Sequence, residues 1–251
     1  MISKNQAKLV KSLKLKKNRL QEGLFIAEGT KVVLELIQSG LNVHQIYATQ
    51  GFELPDGFPQ VVRIDTREME QLSSLTTPPG ILAVAAFPSW YNHPAIAENL
   101  KNAHYLLALD GLRDPGNLGT VIRSAEWFGF DALLVSDDTV DAFNPKVIQA
   151  AMGSVFRMPI YTLSNWADLA DFQLPRIGLD MAGENLYTAD FGRGIYILGN
   201  ESLGLRPDAR HQVTRFLTIP GGERTESLNA GVSASIVLAE LYRRKLEDRI
   251  G

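Results

Sequence analysis

Three segments in the second half of this 251-residue chain join glycine to side chains that can bond, orient or clamp a ligand. "LALD" runs into "GLRDPGNLGTVIRSAEWFGF", which carries Asn117 and Arg123. "IYILGN" runs into "ESLGL", with Gly199 and Glu201, and "FLTIP" runs into "GGERTESLNAGVSASIVLAEL", with Ser227 and Asn229. Glycine lets a backbone come close to a ligand, and open parallel sheets bind ligands beyond the carboxyl ends of their strands. Three such loops, each following an apolar strand-like run, outline a site.

Several chemistries are excluded. Gly111–Gly119 contains no G-x-G-x-x-G, and there is no Walker lysine, so neither dinucleotide-binding nor P-loop chemistry fits. Two residues separate Gly199 from Ser202, so "GNESLG" is not the G-x-S-x-G elbow of a hydrolase. The chain has no cysteine, which removes disulfides, thiolate metal sites and a cysteine nucleophile. His44, His93, His104 and His211 show no metal-ligand spacing, and no metal is expected. Direct attack by a hydroxyl or a ring nitrogen stays open.

The elements that must position these loops follow from pattern. Residues 3–17 read as a lysine-rich helix, "FIAEG" as a strand, and 30–38 as a helix with Val32, Val33, Leu36 and Ile37 inward and Gly40 as its stop. "VHQIYAT" and "VVRID" are strands, 66–75 a short helix, and "ILAVAAF" a buried strand. This makes residues 1–87 a small α/β domain. Residues 88–103, rich in proline and polar side chains, form the linker, with some helix near 94–101. From His104 the alternation resumes: strands at "HYLLALD", "ALLVSD", "VFRMPIY", "RIGLDM", "GIYILGN" and "RFLTIP", helices at 120–128, 145–152 and 165–171, and a long final helix over 228–247. Continuous apolar strands separated by helices predict a mostly parallel sheet covered on both faces over 104–251.

Composition, 45% apolar and 21% charged, is that of a water-soluble globular protein. No apolar run reaches the roughly 20 residues of a membrane helix, and a cytoplasmic protein is expected. Net charge is −3 but uneven. Lys4, Lys8, Lys11, Lys14, Lys16, Lys17 and Arg19 fall in the first 20 residues, which hold no acid; the rest carries 18 basic against 28 acidic side chains. Such an arm is either a solvated helix or a contact for a polyanion.

Together the three loops resemble the signature motifs of the SpoU (TrmH-type) RNA 2′-O-ribose methyltransferases of the SPOUT superfamily. The first is similar through Asn117, Gly119, Thr120, Ile122, Arg123 and Ala125. The second is similar through Leu198, Gly199, Glu201, Gly204 and Leu205, and the third through Ile219, Pro220, Ser227, Leu228 and Asn229. Gly221, Glu223 and Gly231 depart from the commoner pattern of the third loop. The N-terminal part resembles, less specifically, the L30e/L7Ae-like substrate-binding domain of many members. The resemblance implies S-adenosylmethionine as cofactor, RNA as partner with ribosomal RNA favoured over transfer RNA, a homodimer, and a deep trefoil knot. General topology argues against a knot, so only the resemblance supplies it.

Taken alone, Arg123 falls opposite Val121, Ala125 and Phe128 on its helix, a solvated arginine within reach of Glu126. Asn117 can close its turn, Glu201 is an ordinary loop residue, and Ser227 and Asn229 can cap the final helix. Leu198, Ile219 and Leu228 are core residues on that reading. The resemblance implies instead that Arg123, Asn117, Glu201, Ser227 and Asn229 form the catalytic group. It implies that Leu198, Gly199, Ile219 and Leu228 hold the cofactor's adenine, and that the basic arm, Lys4 to Arg19, meets RNA.

The family's arginine is commonly given the role of base. A guanidinium stays protonated in proteins, and neutralising it at pH 7 would cost about 7 kcal/mol. An electrostatic clamp on phosphate and developing alkoxide demands less of Arg123. Methylation of a transfer-RNA ribose or of a base nitrogen by a related enzyme, and RNA binding without catalysis, are the competing readings.

Overall fold

The computed structural model describes residues 2–54, 58–91, 96–200, 203–222 and 228–250. In chain order its helices and strands are α1 (Lys4–Ser12), α2 (Lys16–Glu22), β1 (Leu24–Glu28), α3 (Thr30–Gln38), β2 (Val43–Thr49), β3 (Val62–Ile64), α4 (Thr66–Leu72) and β4 (Ile81–Ala86). Then come α5 (Ile96–Asn99), β5 (Tyr105–Leu109), α6 (Pro115–Trp127), β6 (Ala132–Ser136), α7 (Pro145–Ala151), β7 (Ile160–Leu163), β8 (Arg176–Asn185), β9 (Gly194–Leu198), α8 (Pro207–His211), β10 (Arg215–Thr218) and α9 (Ala230–Ile250). No described helix is long and apolar enough to cross a membrane.

The chain forms two compact units. One comprises residues 1–89 with 141–157, the other 90–140 with 158–251. The sequence pattern predicts a first domain ending at 87 and a second running unbroken over 104–251. The excursion 141–157 departs from it, because its partners lie far away in sequence. In the first unit, Phe143 and Phe156 pack on Phe25 at centroid distances of 4.8 and 5.6 Å. The Gln149 amide donates to the Glu28 carbonyl at 2.6 Å, and Arg157 pairs with Glu35 at 2.7 Å.

The first unit is built on a mixed sheet of order β1-β4-β2-β3, antiparallel but for the β2–β3 pair. Helices α1 and α4 cover one face through Val10, Leu13, Met69 and Leu72. The expected single helix over 3–17 is two helices, because the chain turns at 13–15 to offer the Leu13 and Lys14 carbonyls to the Arg19 guanidinium, at 2.8 and 2.9 Å. Arg19 also pairs with Asp141, and its side chain is 2% exposed. It is therefore withdrawn from the basic arm: a buried, fully engaged cation cannot meet RNA. Lys4, Lys8, Lys11, Lys14, Lys16 and Lys17 are exposed.

The second unit carries a six-stranded sheet of order β10-β8-β9-β5-β6-β7, parallel in every pair. Its core includes Leu106, Ala108, Leu134, Ile195 and Ile197 from adjacent strands. Helix α6 begins at Pro115, five residues before the expected start. Asp114 caps it through the Asn117 amide, with proline at the first turn where a missing N–H costs nothing. Strand β8 is not the plain strand expected. Phe216 of β10 pairs with Gly178, but Leu217 pairs with Glu184, so residues 179–183 leave the ladder as a bulge.

Candidate active site

At the carboxyl ends of β9 and β10, beside residues 179–181 of β8, the second unit holds a cavity of about 330 Å³. Leu198 and Gly199 at the end of β9, and Ile219 and Leu228 from the segment after β10, all line it. Leu205, Leu217 and Ala230 add apolar wall, and Asn200, Thr218 and Ser233 add polar groups. Such a lining suits a flat apolar ring system with a few fixed hydrogen bonds.

The loop after β9 folds tightly. Asn200 and Gly204 exchange backbone hydrogen bonds at 3.1 and 2.9 Å. A Cβ on Gly199 would lie 2.3 Å from the Gly204 carbonyl carbon and 2.5 Å from the Leu205 nitrogen, so only glycine fits. Both flanks of the loop are tied to the end of β5. The Asn200 amide donates to the Gly111 carbonyl at 2.9 Å. The Arg206 backbone N–H and Nε donate to the buried Asp110 carboxylate at 2.7 and 2.6 Å. Arg206 also reaches Asp138 at 3.0 Å. Burial works against the charge of Asp138, but the Ser136 hydroxyl and Arg206 together hold its carboxyl below the usual range.

The first and third loops meet through side chains. The Asn229 amide donates to the Asn117 side-chain oxygen at 2.8 Å, and its own oxygen accepts from the Val232 N–H at 3.2 Å. Asn229 thus caps α9 and joins the first turns of α6 and α9. The helices stay in contact further along, where the Ser124 and Ser235 hydroxyls lie 2.8 Å apart. Asn117 sits on the first turn of α6 rather than in the turn before it.

Arg123 lies on the same helix, exposed and without an ion pair among the described residues. It is not among the residues lining the cavity. Val121, Ile122 and Ala125 are buried, which leaves Arg123 on the outward side. Glu201 and Ser227 lie outside the described residues.

The SpoU rRNA methylase family model matches residues 104–239, and the MRM3-like substrate-binding domain model matches residues 4–83. The chain belongs to the SpoU rRNA methylase family. As a SpoU protein it is 31% identical over 252 residues to the 23S rRNA (guanosine(2553)-2′-O)-methyltransferase RlmP of Bacillus subtilis, over 95% of this chain and 97% of that one. A Porphyromonas gingivalis structure assigned to the TrmH family of RNA methyltransferases superposes with a TM-score of 0.83 at 32% identity, covering 97% of this chain and 99% of the other. An AdoMet-bound rRNA methyltransferase from Sinorhizobium meliloti superposes at 0.80 with 26% identity, covering 98% and 97%.

Sequence reasoning missed four charged residues around this cavity. Asp110 and Arg206 hold the loop after β9, and Asp180 and Arg210 line the cavity itself. Asp110 could have been noticed as an acid closing an apolar strand. Asp180 gave no such signal, because its place depends on the β8 bulge.

Proposed function

We propose that this chain transfers the methyl group of S-adenosylmethionine to a ribose 2′-hydroxyl of ribosomal RNA. The observation that carries the reading is the convergence of Leu198, Gly199, Ile219 and Leu228 on one cavity. The cavity fits the cofactor: leucine and isoleucine walls for adenine, an approach at Gly199 that a Cβ would block, and acceptors beside them. Backbone groups near Gly199 and Ile219 read the adenine edge. When bound, the cofactor supplies an electrophilic methyl group on sulfur.

The protein's own residues position and polarise. The Asn117–Asn229 pair fixes the first turns of α6 and α9, whose N-termini favour an RNA phosphate. Arg123 gathers that phosphate and the developing alkoxide as an electrostatic clamp, and the hydroxyl proton passes to solvent water as the oxygen–methyl bond forms and the sulfur–methyl bond breaks. Glu201 orients the arginine or the cofactor, and Ser227 acts with them in the catalytic group.

Arg123 does not line the cavity of its own chain, and Trp127, one turn on, is 81% exposed. Val232 on α9 is also exposed. Unpartnered apolar side chains of this size support a homodimer in which this surface is covered. The first unit, matched by a substrate-binding model over residues 4–83, is read as the L30e-like RNA-binding domain. Lys4, Lys8, Lys16 and Lys17 extend it toward phosphate, with Lys11 and Lys14 partly engaged by Gln71 and the Ser73 carbonyl. The second unit is read as the trefoil-knotted fold, supported by the superposition on TrmH-type neighbours. The protein then acts in the cytoplasm, as expected for a bacterial-type rRNA enzyme.

The test is transfer of label from methyl-tritiated S-adenosylmethionine to ribosomal RNA. Stoichiometric incorporation by the wild-type chain is expected; no incorporation into any rRNA, naked or in subunits, refutes the reading.

A further inference from the structure

The β8 bulge is braced at both ends. The Asp180 carboxylate accepts from Arg210 Nη1 at 2.6 Å and from the Ala182 N–H at 3.0 Å. The return of the bulge is held by a two-pronged Arg215–Glu184 pair, with both bonds at 2.6 Å. A Cβ on Gly183 would lie 2.4 Å from the Leu217 carbonyl carbon, so this backbone passes close against β10. Arg210 is itself stacked over Phe216 at 4.5 Å. This bracing places Leu179, Asp180 and Met181 in the cavity wall.

Asp180 is the one acidic side chain among the described residues lining that cavity. The Ala182 amide, and then Arg210, hold its carboxyl below the usual range, so it is an anion at neutral pH. An ionised carboxylate only accepts hydrogen bonds and offers about four lone-pair directions; the structure gives two of them to Arg210 and Ala182, with the Met181 N–H a lesser contact. The ligand group that matches the remainder is a pair of neighbouring hydroxyl donors. We propose that Asp180 receives the ribose hydroxyls of the adenosine cofactor and so makes the cavity specific for a ribonucleoside. Arg210 is the positioning residue that keeps the carboxylate charged and in place. The inference rests on the cofactor occupying this cavity.

Calorimetry with S-adenosylhomocysteine, its 2′-deoxy and 3′-deoxy analogues, and 5′-methylthioadenosine tests it on wild type and Asp180→Asn. Removing a hydroxyl that bonds a charged acceptor should weaken wild-type binding by roughly ten- to a hundredfold. Asp180→Asn should weaken S-adenosylhomocysteine and methylthioadenosine by a comparable factor, yet scarcely alter binding of the deoxy analogue that wild type already binds poorly. A variant that weakens all ligands equally would make Asp180 only a brace of the bulge and overturn the proposal. Loss confined to S-adenosylhomocysteine, with methylthioadenosine unchanged, would direct the carboxylate to the amino-acid end instead and also overturn it. If wild type binds none of the four, it is the cofactor reading that fails, and this inference with it.

Discussion

Replacing Gly199 by alanine adds one methyl group at the point where the loop after β9 closes on itself. That carbon would sit 2.3 Å from the Gly204 carbonyl carbon, 2.4 Å from its oxygen and 2.5 Å from the Leu205 nitrogen. Ordinary contact needs about 1 Å more, and the obstacles are backbone atoms that cannot rotate away. The two hydrogen bonds between Asn200 and Gly204 must open, at about 1 kcal/mol each. Residual overpacking adds about 1–3 kcal/mol. The sum is about 3–5 kcal/mol, and it falls on a loop walling the cavity rather than on the strands beneath. Cofactor affinity should drop by roughly a hundredfold or more, while the cooperative melt stays sharp because the core of β5, β6 and β9 is untouched. Calorimetric titration with S-adenosylhomocysteine, beside a thermal melt, measures both. Gly199→Ala binding within threefold of wild type would show that this loop does not shape the cofactor site.

Arg123→Ala, at an exposed helix position, should change stability by no more than about 0.5 kcal/mol and leave cofactor affinity intact, yet lower turnover by roughly a hundredfold; wild-type turnover would return Arg123 to a solvated arginine. Rescue by lysine, which keeps charge without the planar fork, would favour a simple electrostatic role. Arg19→Met should cost about 3–5 kcal/mol in urea titration, since it removes the charge that pairs with the buried Asp141 carboxylate; a loss below about 1 kcal/mol would mean the pair is dispensable. Glu240, on α9, is held at about 2 against an ordinary 4.5, chiefly by its hydrogen bond to Arg243, with Arg244 assisting against burial. A depressed carboxyl stabilises fully above its unfolded value and loses that contribution as pH falls toward the folded one. Wild type should therefore lose stability more steeply than Glu240→Gln between about pH 4.5 and pH 2, and parallel curves would contradict this.

Local signals made much of the fold legible. The apolar run of "VHQIYAT" and the turn residues around it mark β2 at its observed bounds, and the buried run from Leu106 to Leu109 marks β5. Asp114-Pro115 is a helix start that the glycines after it obscured, which is why α6 was expected five residues late. What was not legible depends on distant partners. Arg19 looks like its six lysine neighbours until Asp141, 122 positions away, is seen beside it. The register break in β8 is set by β10, and no pattern inside "RIGLDM" announces it. The same holds for the excursion 141–157, whose helix was read correctly but whose packing partners are in the first unit. At the site, Leu198, Gly199, Ile219 and Leu228 were anticipated and share one cavity. The acids and arginines that brace its loops were not, because a salt bridge leaves no mark on either sequence segment alone.

Ribose methylation puts the transferred methyl group on oxygen and leaves the base unchanged. The direct measurement is nucleoside analysis of ribosomal RNA after reaction with methyl-labelled S-adenosylmethionine, using complete enzymatic digestion and mass spectrometry. The label is expected in a single 2′-O-methylnucleoside, resistant to alkaline cleavage at its 3′ phosphodiester, and is expected to be absent with Arg123→Ala. Label recovered in a base-methylated nucleoside with an unmodified ribose would contradict it.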